Sequence, residues 1–212
     1  MDEAFWNGRY LSSSALWSGH PNPHVMTEAA ALVPGEGLDV GCGEGADAIW
    51  LAARGWQVTA VDLSSVALER AATRASEAGA DVARRIKWLH VDLTDWVPAA
   101  SSYDLVSAQF LHLPKDQREL IHRRIGESVA PGGTLLVVGH HPSDLHTTAP
   151  RPRVPELLFT ASEVAASLTP EDWIVVVDEA RPRQTLDSDG QATTVHDAVL
   201  KAQRVGRTNE FD

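Results

Sequence analysis

The sequence LDVGCGEGADAIWLAARGWQVTAVDLS occupies residues 38–64 and decides the fold. A short apolar run at 38–40 leads into alternating glycines at 41–45, and a helical pattern begins directly behind them. A second apolar run at 58–61 ends at an aspartate. Because glycine allows backbone turns that other residues disfavour, this stretch predicts a strand, a tight turn, a helix and a second strand.

The same alternation of strand and helix patterns continues along the chain. Further strands are predicted at 86–91, 103–108, 134–138, 174–177 and 194–202, and helices at 24–33, 46–53, 64–79, 120–129 and 161–167. Strands that alternate with helices at this spacing predict an α/β domain of seven strands, most of them parallel, with helices on both faces of the sheet. The first 24 residues are polar and aromatic, and we expect an arm or a short helix there. The proline-rich segment 140–155 has a length typical of a lid or binding loop.

Composition and charge restrict the classes of function. The chain has 212 residues, 43% of them hydrophobic and 22% charged, which is typical of one globular domain. Its formal net charge of −11 disfavours a broad surface for nucleic acid or anionic lipid. The longest apolar runs are strand-sized and the acidic amino terminus lacks a signal-peptide pattern, so we expect a cytoplasmic protein without a membrane span. The single cysteine, Cys42, supports neither an intrachain disulfide nor a multi-thiolate zinc site, and we expect a small buried filler.

The glycine turn predicts a nucleoside-binding site. Backbone without side chains can approach a ligand closely, and the N-terminus of the following helix carries a positive dipole. Asp62 closes the second strand, where a carboxylate can accept hydrogen bonds from both hydroxyls of a ribose. Dinucleotide-binding enzymes space their glycines as GxGxxG, whereas residues 41–45 read GxGxG and Asp39 precedes them. Since a carboxylate there would repel a pyrophosphate and attract an ammonium group, the pattern favours S-adenosylmethionine over a nicotinamide dinucleotide.

Residues 38–64 resemble motif I and its sequel in the class I S-adenosylmethionine-dependent methyltransferases. Asp92 and Leu93 resemble the family's adenine-contacting motif, YDLVSAQF at 103–110 its fourth-strand motif, and APGGTL at 130–135 its turn into the fifth strand. The opening segments, FWNGRY at 5–10 and WSGHPNP at 17–23, resemble the arm of a small-molecule branch that includes thiopurine- and tellurite-type methyltransferases. The resemblance implies a Rossmann-like, mostly parallel sheet whose last strand is antiparallel.

The resemblance also implies which residues bind the cofactor. They are Asp39, Gly41, Cys42, Gly43, Gly45, Asp62, Leu63, Asp92, Leu93, Gln109 and Phe110. The glycine backbone is implied to hold the methionine portion, with Asp39 close to its amino group. Asp62 is implied to bind the ribose hydroxyls and Asp92 the adenine amine. Gln109 and Phe110 are implied to lie beside the methionine and the sulfonium.

Three histidines are candidates for catalysis, because each follows a strand whose carboxyl end would border an acceptor pocket. His112 follows the fourth strand, and His140 and His141 follow the fifth. An acceptor with a free lone pair needs only placement beside the methyl group, whereas a phenol or other hydroxyl also needs a base. Each histidine could instead cap a loop or bond to a backbone carbonyl. A metal site built from His140, His141 and His146 is not expected, since no carboxylate or thiolate pattern accompanies them.

Aromatic residues of the arm and the proline-rich loop are candidates for the walls of the acceptor pocket. The arm could fold over the cofactor so that Trp17 faces the sulfonium or a planar acceptor, or Trp6 and Trp17 could attach the arm to the sheet. Arg151 and Arg153 could contact an anionic acceptor or be solvated. The predicted substrate-binding residues are Trp6, Trp17, His112 and His140.

We therefore predict a single domain over 1–212, with an N-terminal arm and helix at 1–33, a cofactor-binding core at 34–139 and an acceptor-side loop, helix and final strands at 140–212. The predicted function is methyl transfer from S-adenosylmethionine to a sulfur, nitrogen or oxygen atom of a small, apolar or aromatic molecule, with S-adenosylhomocysteine as product. The alternatives are an RNA or protein methyltransferase and a non-catalytic protein that binds S-adenosylmethionine. The predicted partner is the small-molecule acceptor, with no nucleic acid, membrane or metal, in a monomer or homodimer.

Overall fold

The apolar runs build one seven-stranded sheet in the computed structural model, which describes residues 1–14 and 16–206. Its strands are β1 (Glu36–Val40), β2 (Gln57–Asp62), β3 (Ile86–His90), β4 (Tyr103–Gln109), β5 (Val129–His140), β6 (Trp173–Leu186) and β7 (Ala192–Arg204). They lie in the order β3-β2-β1-β4-β5-β7-β6. The first five strands are parallel to one another, and β7 is antiparallel to both β5 and β6. The predicted fold class, including the antiparallel last strand, is confirmed. The last residues of the predicted domain, 207–212, lie outside the described residues.

Helices connect and cover the strands. In the described part of the chain they are α1 (Glu3–Leu11), α2 (Pro23–Ala29), α3 (Ala46–Ala53), α4 (Ser65–Ala78), α5 (Ala80–Ala83), α6 (Lys115–Ser128) and α7 (Ala161–Ala165). The polar arm therefore contains one short helix. The predicted N-cap of α4 is observed, since the Ser64 hydroxyl accepts a hydrogen bond from the Ala67 amide at 3.1 Å. No helix among the described residues has both the length and the apolar character needed to cross a membrane.

The central strands of the sheet are buried on both faces. Leu135 and Val137 of β5 pack into one core, which includes residues of α6 and α7. Leu136 and Val138 alternate with them and pack into a second core with residues of α3 and α4. A parallel sheet with helices on both sides buries both sets of side chains, which explains its near-continuous apolar runs.

Several elements differ in extent from the prediction, and α6 begins at Lys115, five residues before the predicted start. β6 continues nine residues beyond 177, because it pairs with β7 as far as Leu186 although its sequence becomes charged. Pro182 is tolerated since β6 is an edge strand. β5 begins at Val129, where an irregular pairing with Tyr103 brings the predicted turn 131–133 into the strand. α2 ends at Ala29 rather than at 33, and the last predicted residue, Val33, is exposed and precedes Pro34, which disfavours helical backbone there.

Candidate active site

The glycine turn joins β1 to α3 and carries three positive φ angles, +69° at Gly41, +53° at Gly43 and +80° at Gly45. The Gly41 and Cys42 amides donate to the Val61 carbonyl at 2.9 and 3.0 Å, which ties the turn to β2. Side chains are excluded at two of these glycines. A Cβ at Gly41 would lie 2.4 Å from Leu111, and one at Gly45 would lie 2.6 Å from Trp88.

Asp39 provides a buried carboxylate beside this turn. It is 2% exposed, and its Oδ2 atom has no hydrogen-bond partner among the described residues. Burial, with the nearby Asp47 and Asp62 carboxylates, raises the pKa of Asp39 well above its ordinary value. A buried oxygen without a partner is costly, so this position suits a cationic ligand group that would pair with it.

Asp62 is the last residue of β2, and its carboxylate connects the glycine turn to the backbone just before α4. Its Oδ2 accepts from the Gly43 amide and its Oδ1 from the Ser64 amide, both at 2.8 Å. Burial raises the pKa of Asp62, and these amide hydrogen bonds act in the opposite direction. The neighbouring Leu63 carbonyl is 2.9 Å from His90 Nε2. The carboxylate is thus oriented by backbone amides at the edge of the turn, as a ribose-binding acceptor would require.

Asp92 and Leu93 follow β3 at the same edge of the sheet. The exposed Asp92 carboxylate accepts from the amide and hydroxyl of Thr94 at 2.8 and 2.7 Å, and these hydrogen bonds lower its pKa. Leu93 is half-buried and packs against the first core. Asp92 is therefore ionised and accessible, which suits an acceptor for an exocyclic amine.

Gln109 is the last residue of β4, and Phe110 follows it. The Gln109 amide nitrogen donates to Ser107 at 2.9 Å, while its Oε1 is a buried oxygen without a partner among the described residues. Phe110 has a φ of +52°, which is uncommon for a residue other than glycine. Its amide donates to the Val138 carbonyl at 2.7 Å, so the strand pairing holds this strained backbone in place.

Cys42 is half-buried beside the second core, and burial raises the pKa of its thiol well above the ordinary value. A protonated thiol is a poor nucleophile, so the side chain serves as packing between the glycines.

The structure brings together two of the three candidate histidines. The ring centroids of His112 and His140 are 5.5 Å apart. The Trp6 ring centroid lies 5.9 Å from that of His112, and the Phe110 ring centroid lies 4.7 Å from that of His140. His141 lies apart from them, with its Nδ1 near the Ser143 hydroxyl at 3.0 Å. No group of three or more potential ligands among the described His, Cys, Asp and Glu residues is arranged to hold a metal ion.

The other arm tryptophan, Trp17, lies against the glycine turn. Trp17 and Tyr10 lie over Gly43, and a Cβ added at Gly43 would be 3.0 Å from the Tyr10 hydroxyl. Sequence reasoning missed Tyr10, which is 3% exposed and whose pKa is raised by burial. Tyr10 lies in a polar segment, so its burial was not expected from the sequence. Glu44 was also missed: it is buried, pairs with Arg70 at 3.1 Å and accepts from the Trp17 amide at 3.4 Å.

The two loop arginines pair with groups of the protein itself. The Arg151 side chain is 8% exposed and contacts Asp144, Asp197 and His140. Arg153 donates to the backbone carbonyls of residues 145 and 147. Both guanidinium groups therefore hold the loop. Arg151 is not simply solvated, whereas Arg153 is exposed, as one of the two expectations had it. Contact with an anionic acceptor stays a prediction. Asp197 had no signal in the sequence, since it lies within an apolar strand pattern.

Residues 38–133 match the methyltransferase domain family. An uncharacterized methyltransferase of Mycobacterium tuberculosis is 45% identical over 102 residues, 48% of either chain. The 2-heptyl-1-hydroxyquinolin-4(1H)-one methyltransferase of Mycobacteroides abscessus is 28% identical over 132 residues, covering 60% of this chain and 57% of that one. The chain thus spans about half the length of the curated relatives it matches.

One solved structure resembles nearly the whole chain. It carries the description "Conversion of a Disulfide Bond into a Thioacetal Group during Echinomycin Biosynthesis" and has a TM-score of 0.73 at 21% identity. The similarity covers 98% of this chain and 93% of that one, and it shows that the two share a fold.

Proposed function

We propose that the protein is a class I S-adenosylmethionine-dependent methyltransferase, which transfers a methyl group to a sulfur, nitrogen or oxygen atom of a small, apolar or aromatic molecule. The match of residues 38–133 to the methyltransferase domain family supports this proposal. The observation that carries the proposal is the buried, unpaired Oδ2 atom of Asp39 beside the glycine turn. When bound, S-adenosylmethionine supplies an ammonium group for such an oxygen and a methyl group on a sulfonium.

The residues of the turn and the strand ends would hold the cofactor. The backbone of 41–45 offers close approach to the methionine portion, and Asp39 offers its ammonium group a buried negative charge. Asp62, which is oriented by two backbone amides, accepts hydrogen bonds from the ribose hydroxyls. Asp92 and the Leu93 backbone bind the adenine edge.

The acceptor side supports a small and uncharged substrate. Trp6, Phe110, His112 and His140 form an aromatic group there. Burial lowers the pKa of both histidines, to about 3 for His140, so the group carries no charge near neutral pH. Such a surface aligns an apolar or aromatic acceptor and excludes water, which an in-line displacement at a sulfonium requires. The Mycobacteroides abscessus relative is named for an aromatic small molecule, which supports this substrate class.

The charge of the chain argues against the alternative of an RNA methyltransferase. A net charge of −11 opposes the approach of a phosphate backbone. The non-catalytic alternative is separated from the proposal by turnover alone, because both bind the cofactor.

The test is calorimetric titration of the protein with S-adenosylmethionine, S-adenosylhomocysteine and NAD, followed by a methyl-transfer screen over thiols, phenols and amines. We expect binding of both adenosyl compounds, no binding of NAD, and turnover of at least one acceptor class. Asp39→Asn should weaken S-adenosylmethionine binding about tenfold or more, because the ammonium group loses a charged partner. Binding of NAD alone would refute the proposal.

Asp104→Asn is the matched control. Asp104 also accepts a backbone amide, that of Glu36 at 2.9 Å, but it lies at the amino end of the strands, away from the turn. Its replacement should leave cofactor affinity unchanged. Equal affinities of the wild type and Asp39→Asn would contradict the assigned site.

A further inference from the structure

Arg151 lies in the loop after β5, and its guanidinium is held on three sides. Its Nη2 donates to Asp197 Oδ1 at 2.9 Å, and its Nε is 3.5 Å from Asp144 Oδ2. Its Nη1 contacts Nδ1 of His140 and lies 3.5 Å from Nε2 of the same ring. Both aspartates are at most 1% exposed, so the arginine is fixed by buried charges.

We propose that Arg151 is a positioning residue that holds His140 as the neutral imidazole with its proton on Nε2, so that His140 donates a hydrogen bond to the methyl acceptor and does not act as its base. The role of His140 towards an acceptor rests on the proposed methyl transfer. The state of its ring does not, because it follows from contacts within the chain.

The tautomer follows from the chemistry of the two groups. A guanidinium remains protonated at all relevant pH values and can only donate hydrogen bonds. The His140 nitrogen that faces it, Nδ1, must therefore accept. A neutral imidazole carries one proton, which is then left on Nε2. A second proton, added at Nδ1, would turn the ring into an imidazolium cation next to the guanidinium and would remove the hydrogen bond.

Asp197 does not counteract this arrangement, although it pairs with His140 across β5 and β7. Its Oδ1 is taken by Arg151, and its Oδ2 accepts from Arg183 at 3.0 Å and lies 3.1 Å from His24 Nε2. Burial raises the pKa of Asp197, but the hydrogen bonds from His24 and Arg183 and the charges of the two arginines outweigh it and hold that pKa well below its ordinary value. Asp197 therefore stays ionised and keeps Arg151 in place.

The charged and titratable groups around His140 act in the same sense. They are Arg151 from the loop, His112 after β4, Asp197 on β7 and Arg183 on β6. All except Asp197 favour the neutral ring, as does burial. His112 is the remaining histidine of the aromatic group, and the removal of a proton, where an acceptor requires it, falls to that residue.

The experiment is long-range ¹H–¹⁵N correlation spectroscopy of the histidine side chains in the wild-type protein, with His140 assigned through His140→Gln. Across about pH 5 to 8, where an ordinary histidine titrates, we expect His140 to remain neutral with its proton on Nε2. In Arg151→Met, the Nδ1-protonated tautomer should become populated, because the guanidinium no longer donates a hydrogen bond to Nδ1.

Arg183→Met is the matched control, because it removes the other arginine on Asp197 and leaves the Arg151–His140 contact intact. It should preserve the tautomer. A wild-type His140 that is cationic or Nδ1-protonated near pH 7 would overturn the proposal, as would an unchanged ring in Arg151→Met. If Arg151→Met fails to fold, the wild-type spectrum decides. The spectra need neither cofactor nor acceptor, so a failure of methyl transfer would be recognised separately.

Discussion

The Trp17 indole nitrogen donates a 3.1 Å hydrogen bond to the Tyr10 hydroxyl, and both side chains lie against Gly43 at the centre of the glycine turn. The same arm reaches the other end of the site. The Asn7 side-chain oxygen accepts from the Ser64 hydroxyl at 2.6 Å, just beyond β2. The arm therefore contacts both the methionine end and the ribose end of the proposed cofactor site.

Replacement of Gly43 by alanine should impair cofactor binding more than folding. The φ of +53° makes alanine strained by about 1–2 kcal/mol, and the new methyl group would displace the Tyr10 hydroxyl. We expect affinity for S-adenosylmethionine to fall about tenfold or more by calorimetry. Gly45→Ala should instead lower the free energy of unfolding by several kcal/mol, since its Cβ would lie 2.6 Å from Trp88 and 2.8 Å from Ala71. Wild-type binding by Gly43→Ala would contradict the placement of the methionine portion.

Cofactor affinity should increase with pH over a range above the ordinary titration of aspartate. The pKa of Asp39 is raised in the free protein, and only its ionised form pairs with an ammonium group. Binding should therefore release a proton while Asp39 is protonated, and release none at higher pH. Calorimetry in buffers of different ionisation enthalpy measures this proton. Asp39→Asn should abolish the release, and a release that persists in this variant would exclude Asp39 as its source.

His112→Gln should slow methyl transfer to phenols about a hundredfold, with a much smaller effect on thiols and amines. The pKa of His112 is lowered, first by burial and then by Arg9 and Arg151, so the wild-type base is neutral at pH 7. Activity towards phenols should therefore fall only in the acid range, below the ordinary pKa of histidine. His141→Gln is a suitable control because that ring lies outside the aromatic group. Equal pH–rate profiles for the two variants would rule out a base at position 112.

Gly139→Ala should destabilise the fold, because the added Cβ would lie 2.2 Å from the Phe159 ring. Phe159 is 2% exposed in the first core and is packed against His122 and Arg118, so it cannot move aside. We expect a loss of about 3 kcal/mol or more in urea unfolding. Phe159→Leu should remove the conflict, so the double variant should be more stable than the sum of the single losses predicts. Simple additivity would show that the two positions do not interact.

Most of the fold was predictable because it depends on local patterns. The apolar runs and the glycine turn identified the strands on both sides of α3, and Ser64 marked the start of α4. The charged half of β6 was not predictable, since its pairing with β7 depends on a distant segment rather than on its own periodicity.

Part of the candidate site was likewise predictable from local patterns, and part depends on contacts between distant segments. Asp39, Asp62 and the glycines lie on consecutive elements, and their spacing alone placed them together. The Arg151–Asp197 ion pair joins a loop to the last strand, so it depends on the path of the loop through the folded domain. Tyr10 was missed for a similar reason, because only the docking of α1 against α4 and the glycine turn shows that its side chain is buried.

The outer strand β6 exposes three adjacent aliphatic residues, Ile174, Val175 and Val176, at 56%, 46% and 53%. An uncovered edge strand of this kind is a template for pairing with another chain, and charged residues such as Asp178 and Glu179 oppose it. With a net charge of −11, two copies also repel each other over a distance set by the Debye length. We therefore expect the colloidal stability of the protein to depend on ionic strength, with self-association increasing as added salt screens this repulsion.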